Sequence, residues 1–158
     1  MRLIVLITWF LATLTGWSAA IAATQDASQA AGPRRLAIVI GNSSYESPRY
    51  EDLANAANDA AKLAEALRRL NFEVAVGTDL TAARTQELLR QYESRLGKFS
   101  SVLFFYAGHG VQFNGENYLL PVDSDDPTSA EALTAKALRL NEVIPRFASR
   151  DRQTFIFL

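Results

Sequence analysis

The chain has 158 residues, a length that fits one ordinary domain. Hydrophobic residues make up 49% of it and charged residues 21%, a balance typical of folded globular domains and unlike that of disordered chains. The formal net charge of -1 comes without a basic stripe, so the sequence excludes an electrostatic footprint for nucleic acid or anionic membrane.

The first segment has the layout of a signal peptide. Arg2 precedes an apolar stretch at residues 3–17, and Ala20 and Ala22 supply the small-x-small pattern that signal peptidase recognises. An uncleaved membrane anchor is the alternative, but about 15 apolar residues are short of the roughly 20 that a bilayer span needs. Residues 1–22 are therefore predicted to be a signal peptide of an exported protein, periplasmic or secreted.

A strand and an amphipathic helix are predicted next. Residues 23–34 are polar and are interpreted as a flexible leader. The apolar run at 36–40 ends at Gly41 and is typical of a strand buried on both faces of a parallel sheet. From Asn55 to Leu70 apolar and charged residues alternate with the period of a helix, which predicts one helix with a buried side.

Two more strands and a second helix follow. Residues 72–76 predict the second strand. Thr81 is a suitable N-cap for a helix that continues to about residue 96, with Gly97 as its stop. The strongly apolar run at 101–106 predicts a third strand that leads directly to His109.

A hairpin is predicted after this third strand. Apolar segments at 111–113 and 118–120 flank Asn114 and Gly115, a favoured pair for a tight turn. Residues 116–117 predict a loop longer than two residues.

The last third of the chain predicts a loop, a helix and a strand. Residues 123–134 are acidic and rich in turn formers, which favours a surface loop. A helix is predicted at about 141–148, with Pro145 tolerated only in its first turn. Residues 153–158 form a fourth apolar strand.

Strands that alternate with helices at this spacing predict an α/β fold, with a mostly parallel sheet and helices on both faces. Sites in such sheets lie at the carboxyl ends of the strands. His109 follows the third strand, so it lies where a site is expected.

His109 is the only histidine of the chain and is bracketed by Gly108 and Gly110. Imidazole has an unperturbed pKa near 6.5 and suits a general base, although a structural histidine beside a tight turn is the alternative. We expect the two glycines to allow close backbone approach and backbone angles that other residues resist. A base also needs a nucleophile within hydrogen-bond reach.

Four segments in order resemble the caspase and metacaspase superfamily of clan CD cysteine proteases, and most of all bacterial metacaspase-like proteins. The resemblance runs over about residues 35–158 and implies a caspase-hemoglobinase fold, incomplete at its carboxyl end. Its segments are 38–42 with Tyr45, 53–60 with the helix continuing to 70–72, 106–110 and 119–123.

The resemblance implies a cysteine-type endopeptidase that acts on protein or peptide substrates. His109 would help to form the thiolate and protonate the leaving amine, and the Gly110 N–H would join an oxyanion hole. Asp59 matches the acid that lines the pocket for the side chain before the scissile bond in metacaspases. Ala107 stands where metacaspases often carry a serine of the same pocket.

Basic substrates are favoured on two grounds. Asp59 favours arginine or lysine before the scissile bond, although an acid that stabilises the start of a helix is an equal alternative. Aspartate-cleaving caspases carry an arginine shortly before the first helix, where this chain has Leu53.

The chain has no cysteine, which excludes disulfides and a thiol nucleophile within it. In caspases the cysteine follows the histidine by about 50 residues. That spacing ends at or just past Leu158, so we expect a chain truncated before its nucleophile and inactive as it stands. A non-catalytic caspase-like interaction module, or pseudoprotease, is the alternative.

No cofactor is expected. The resemblance admits calcium, but Asp123, Asp125 and Asp126 are better interpreted as a solvated acidic loop. A flavodoxin-like binding domain ranks last, because residues 41–44 are poor in the glycine that a phosphate loop needs. The oligomeric state is not predicted.

Overall fold

The computed structural model describes residues 33–125 and 129–158; the predicted signal peptide, most of the leader and Asp126 lie outside them. The helices and strands of the described residues are, in chain order, β1 (Arg35–Gly41), α1 (Ala56–Arg69), β2 (Phe72–Thr78), α2 (Ala82–Glu93), a 3₁₀ turn (Leu96–Lys98), β3 (Ser101–Ala107), β4 (Gly110–Phe113), β5 (Glu116–Leu119), α3 (Ala130–Lys136), β6 (Leu138–Arg139), α4 (Leu140–Phe147) and β7 (Gln153–Phe157).

The four predicted strands form one parallel sheet in the order β2-β1-β3-β7. The predictions of an α/β fold and of a mostly parallel sheet are confirmed. A second sheet of three antiparallel strands, β4-β5-β6, follows the carboxyl end of β3. No helix of the described residues is long and apolar enough to cross a membrane.

Alternate residues of β1 bury opposite faces of the sheet. Leu36, Ile38 and Ile40 belong to a cluster that includes residues of α2 and α4, whereas Ala37 and Val39 pack against α1. The predicted helical cover on both faces is confirmed. It explains why β1 is an unbroken apolar run, because a strand with two covered faces has no solvent side.

Helix α1 starts directly over the end of β1. A Cβ atom at Gly41 would lie 2.5 Å from the carbonyl oxygen of Ala56 and 2.6 Å from the Cβ of Ala60. Only a glycine permits this approach. The contact brings the first turn of α1 to the carboxyl edge of the sheet.

The hairpin between β4 and β5 is tighter than predicted. Phe113 pairs with Glu116, so the loop is the two residues Asn114 and Gly115, with φ of 50° and 80°. Two positive φ values are what a tight hairpin turn of this kind requires. The prediction of a longer loop is wrong, because residues 116–117 already belong to β5.

Two predictions for the last third of the chain are also wrong. Helix α3 occupies part of the segment predicted as loop. Pro145 lies inside α4 as its sixth residue, not in the first turn. It is tolerated because the carbonyl left without an N–H donor is that of Asn141, an exposed residue that water can reach.

Candidate active site

The candidate site lies where β1 and β3 end side by side. Gly41 pairs with Ala107 at the carboxyl ends of these strands. Gly108 and His109 follow immediately, and β4 begins at Gly110. The sheet therefore holds His109 at the edge where parallel sheets carry their sites.

A main-chain carbonyl fixes the imidazole of His109. Its Nε2 lies 2.7 Å from the carbonyl oxygen of Glu51. Because a carbonyl oxygen can only accept, Nε2 carries the proton of the neutral ring and the lone pair is on Nδ1. No described residue hydrogen-bonds Nδ1. The ring therefore offers one open basic nitrogen.

Two tyrosine rings hold the imidazole from the side. The Tyr45 ring meets it edge-on with 4.7 Å between ring centres, and the Tyr50 ring lies 5.4 Å away at a tilt. Both tyrosines come from the loop between β1 and α1, as does Glu51. This one loop therefore supplies every side-chain and carbonyl contact described for the ring.

The backbone of His109 is bound on both sides. Its N–H donates to the Tyr45 hydroxyl at 2.7 Å. Its carbonyl oxygen accepts from the Leu120 N–H at 3.0 Å and from the Tyr106 hydroxyl at 2.9 Å. The orientation of the residue is thus set by its main chain as well as by its ring.

The N–H of Gly110 points away from the hairpin partner. His109 and Leu120 are joined by a backbone hydrogen bond, and Gly110 is opposite Leu119 in the register. Hydrogen-bonded and non-hydrogen-bonded pairs alternate along an antiparallel ladder, so Gly110 and Leu119 form a non-bonded pair. The Gly110 N–H is therefore directed outwards.

Gly108 is needed for space and not for its backbone angles. A Cβ there would lie 2.5 Å from the Tyr106 hydroxyl oxygen and 2.8 Å from that of Tyr45. Neither Gly108 nor Gly110 has a positive φ. The expectation of unusual backbone angles is wrong for both, and the close approach at Gly108 is to two hydroxyl groups.

Burial keeps both hydroxyls protonated. Desolvation by burial raises the pKa of Tyr106 far above its usual value, and the neighbouring Tyr45 adds to the rise. Desolvation by burial also raises the pKa of Tyr45. The two side chains therefore remain hydrogen-bond donors at alkaline pH, where an ordinary tyrosine with a pKa near 10 begins to ionise.

A cleft of about 530 Å³ opens beside this turn. The end of β3, the strands β4 and β5, Leu140 and Leu158 line it. Ala107 and Gly110 are among the lining residues and His109 between them is not. Among the described lining residues no side chain is charged. The cleft therefore suits an uncharged group better than an ionised one.

The amino-acid sequence of the chain matches, over residues 34–157, the family model described as the caspase domain. The chain belongs to the caspase domain family. Within it, 107 residues are 32% identical to mucosa-associated lymphoid tissue lymphoma translocation protein 1 of Homo sapiens, covering 68% of the chain. The mouse homolog is 34% identical over 98 residues, covering 61% of the chain.

The matched segment is a small part of either relative. It covers 13% of the human protein and 11% of the mouse protein. The predicted superfamily is confirmed, and the chain is a caspase-like, cysteine-protease-like domain. Caspase-like proteases act on protein substrates, which agrees with the predicted class of partner.

The caspase domain brings three of the four predicted site residues together. Ala107, His109 and Gly110 are within four consecutive positions at the end of β3. Asp59 lies in the first turn of α1, with its side chain exposed and outside the cleft. The first turn of α1 shares the carboxyl edge with His109, yet no described contact joins the Asp59 carboxylate to the site.

The sequence did not indicate how Asn42 holds this edge together. Asn42 is buried, and its side chain accepts from the Leu80 N–H at 3.0 Å and donates to the Leu120 carbonyl at 3.2 Å. Its own N–H donates to Ala107 at 2.8 Å. Asn42, directly after β1, therefore joins the end of β1 to the ends of β2, β3 and β5.

The two described aspartates of the acidic segment, Asp123 and Asp125, have protein partners. The Asp123 carboxylate accepts from the Ala82 N–H at 2.7 Å, and Asp125 pairs with Lys136 at 2.8 Å. Asp126 lies outside the described residues. In residues 33–125 and 129–158 no three acidic, histidine or cysteine side chains are grouped to hold a metal ion.

Proposed function

We propose that this chain is the histidine-bearing part of an exported cysteine endopeptidase of the metacaspase type, which cleaves after arginine or lysine with a histidine-cysteine dyad. The observation that supports it best is the bond from His109 Nε2 to the Glu51 carbonyl. That bond leaves Nδ1 as the proton acceptor at the carboxyl edge of the sheet.

In this mechanism Nδ1 takes the proton of the thiol, and the thiolate attacks the carbonyl carbon of the scissile peptide bond. The electron pair of the carbonyl moves to its oxygen, which the outward Gly110 N–H stabilises. The imidazolium then returns the proton to the leaving amine as the carbon–nitrogen bond breaks. Water, deprotonated by the neutral imidazole, hydrolyses the resulting thioester and restores the thiol.

The thiol must come from outside these 158 residues, because they contain no cysteine. The register between β3 and β7 supports a position just beyond Leu158. Phe105 pairs with Phe157, an offset of 52, so a residue that continued β7 past Leu158 would lie opposite Ala107. Neighbouring strands are about 4.8 Å apart, which brings such a residue beside the turn that carries His109.

The preference for basic substrates is supported by the charge at the carboxyl edge. Asp59 is exposed there, and the loop that contacts His109 adds three exposed acids, Glu46, Glu51 and Asp52, against one exposed cation, Arg49. Acidic groups around a site favour the approach of a cationic segment. Export is supported by the signal-peptide pattern at residues 1–22.

The test compares the 158-residue chain with the complete natural product of its gene on arginyl, lysyl and aspartyl reporter peptides. We expect no turnover by the 158-residue chain, and cleavage of the arginyl and lysyl reporters by a product that carries the cysteine. His109→Ala should then reduce turnover by about 10²–10⁴.

If the position that follows β7 carries a residue other than cysteine and the complete product shows no turnover, the non-catalytic interaction module replaces this proposal. Turnover by the 158-residue chain that depends on His109 would show that the nucleophile is not a thiol.

A further inference from the structure

We propose that Tyr45 and Tyr106 are a coupled pair of positioning residues: Tyr45 fixes the imidazole of His109, and Tyr106 orients and polarises the Gly110 N–H through the His109 carbonyl. Their effect on catalysis rests on the proposed function. Their effect on the geometry of His109 and Gly110 is independent of the proposed function.

Tyr45 contacts His109 in two independent ways. Its hydroxyl oxygen accepts the His109 N–H at 2.7 Å, and its ring meets the imidazole edge-on. The first contact fixes the backbone from which the side chain leaves, and the second limits rotation of the ring. Both are needed if Nε2 is to stay on the Glu51 carbonyl.

Tyr106 acts on the peptide group that carries the Gly110 N–H. The carbonyl of His109 and the N–H of Gly110 belong to one planar unit, so a donor on the carbonyl also fixes the direction of the N–H. The Leu120 N–H already satisfies that carbonyl, and the Tyr106 hydroxyl is a second donor. Hydrogen bonds to a carbonyl polarise its own N–H, which strengthens the N–H as a donor.

The available protons couple the two tyrosines. Tyr106 has one hydroxyl proton and two carbonyls within reach, His109 at 2.9 Å and Leu120 at 2.7 Å. The Tyr45 hydroxyl donates to the same Leu120 carbonyl at 3.2 Å. The Asn42 amide donates to this carbonyl as well, at 3.2 Å, and the two hydroxyl oxygens lie 3.4 Å apart. A carbonyl oxygen has two lone pairs, so while Asn42 and Tyr45 occupy both, the Tyr106 proton is available to His109. Without the Tyr45 hydroxyl one lone pair is open and the Tyr106 proton would move towards Leu120.

Gly108 fits this arrangement. The space that a Cβ would need at residue 108 is taken by the two hydroxyl groups. Any larger residue would push the hydroxyls away from the His109 peptide.

The main test uses nuclear magnetic resonance on the full chain, in which His109 gives the only imidazole signals. In the unmodified chain the ring nitrogens should show the Nε2–H tautomer, and the Tyr106 hydroxyl proton should exchange slowly with water because it is hydrogen-bonded to buried carbonyls. Y45F should shift the ring nitrogens towards a mixture of tautomers. Y106F should shift the Gly110 amide and the His109 carbonyl while leaving the tautomer unchanged.

Tyr92→Phe is the matched control, because Tyr92 lies on α2 and its ring contacts Arg95 and not the site. It should leave all of these signals in place. Imidazole nitrogens that are the same in folded Y45F and in the unmodified chain would overturn the role of Tyr45. A Gly110 amide unchanged in Y106F would overturn that of Tyr106. The measurement on the unmodified chain stands even if a variant does not fold.

The catalytic part is tested in a complete product that has turnover. Y45F and Y106F should each lower kcat by about 10- to 100-fold with little change in KM, as small displacements of catalytic groups do. The double variant should lose less than the product of the single losses, because the hydroxyls share one proton network. Unchanged kcat in both variants would overturn the catalytic role. No turnover in the unmodified product would count against the proposed function alone, since the spectra are read independently.

Discussion

Different forces hold the two ends of the parallel strands together, the carboxyl edge and the amino edge of the sheet. At the carboxyl edge, buried neutral groups such as the Asn42 amide and the Tyr106 hydroxyl bridge the strand ends. At the amino edge, Glu73 pairs with Arg34 and Arg95 at 2.9 and 2.7 Å, and all three side chains are about a third or more exposed. Buried hydrogen bonds depend on close geometry, whereas exposed ion pairs do not. The edge with the site is therefore the one whose stability depends more on close geometry.

The first prediction tests how little space the carboxyl edge has. Gly41→Ala would place a methyl group against backbone and Cβ atoms of α1 that cannot rotate away. We expect a loss of about 3 kcal/mol or more in the free energy of unfolding, measured by urea denaturation. Gly97→Ala is the control, since a Cβ there meets nothing within 4 Å, and it should change stability by less than about 0.5 kcal/mol. Equal effects of the two substitutions would show that α1 is not packed closely on β1.

The second prediction separates the two interpretations of Asp59 at the same edge. In a product with turnover, Asp59→Asn should weaken cleavage after arginine and lysine by about 1–3 kcal/mol in kcat/KM. Cleavage of a reporter with an uncharged residue at that place should stay nearly constant, because an uncharged side chain never had a charged partner there. Equal slowing of basic and neutral reporters would leave Asp59 as an acid of the helix start.

The difference between the edges also explains what could be predicted from the sequence. Apolar periodicity is a local property, so β1, α1 and the end of β3 before His109 were predicted nearly to the residue. The Thr81 cap was predicted from its residue type, and its hydroxyl does accept the Arg84 N–H. Elements set by tertiary contacts, such as α3, were missed.

Part of the candidate site was not predictable, because it depends on tertiary contacts that leave no local pattern in the sequence. His109 and Gly110 were found because they follow a strand directly. The Glu51 carbonyl was not, since a main-chain group leaves no trace in residue type and the loop that carries it has no periodicity. Tyr45 was noted only as part of a resemblance, and its contact with residue 109 bridges 64 positions.

The third prediction uses pH to weaken the carboxyl edge. Burial raises the pKa of Tyr106 above that of an unfolded tyrosine, which is about 10. Below pH 10 neither state is ionised and the full stability is present; above it the unfolded state releases the proton first, so folding loses up to about 1.4 kcal/mol per pH unit. Urea denaturation between pH 9 and 11 measures this slope, and it should be smaller in Y106F. The same slope in both proteins would assign the alkaline loss to other groups.

The smallest effect is expected at the amino edge. Glu73→Gln breaks ion pairs with Arg34 and Arg95, but all the partners remain in contact with water and the guanidinium groups also lie over the rings of Phe99 and Tyr92. We expect a loss of at most about 1 kcal/mol, because the charges are solvated before and after the change. The loss should shrink as salt is raised to about 1 M, where the Debye length falls to roughly 3 Å. Glu65→Gln, which breaks an exposed pair with Arg69 one turn along α1, should cost still less, about 0.3–0.5 kcal/mol. A loss above about 2 kcal/mol that does not respond to salt would mean that the amino edge, like the carboxyl edge, depends on fixed geometry.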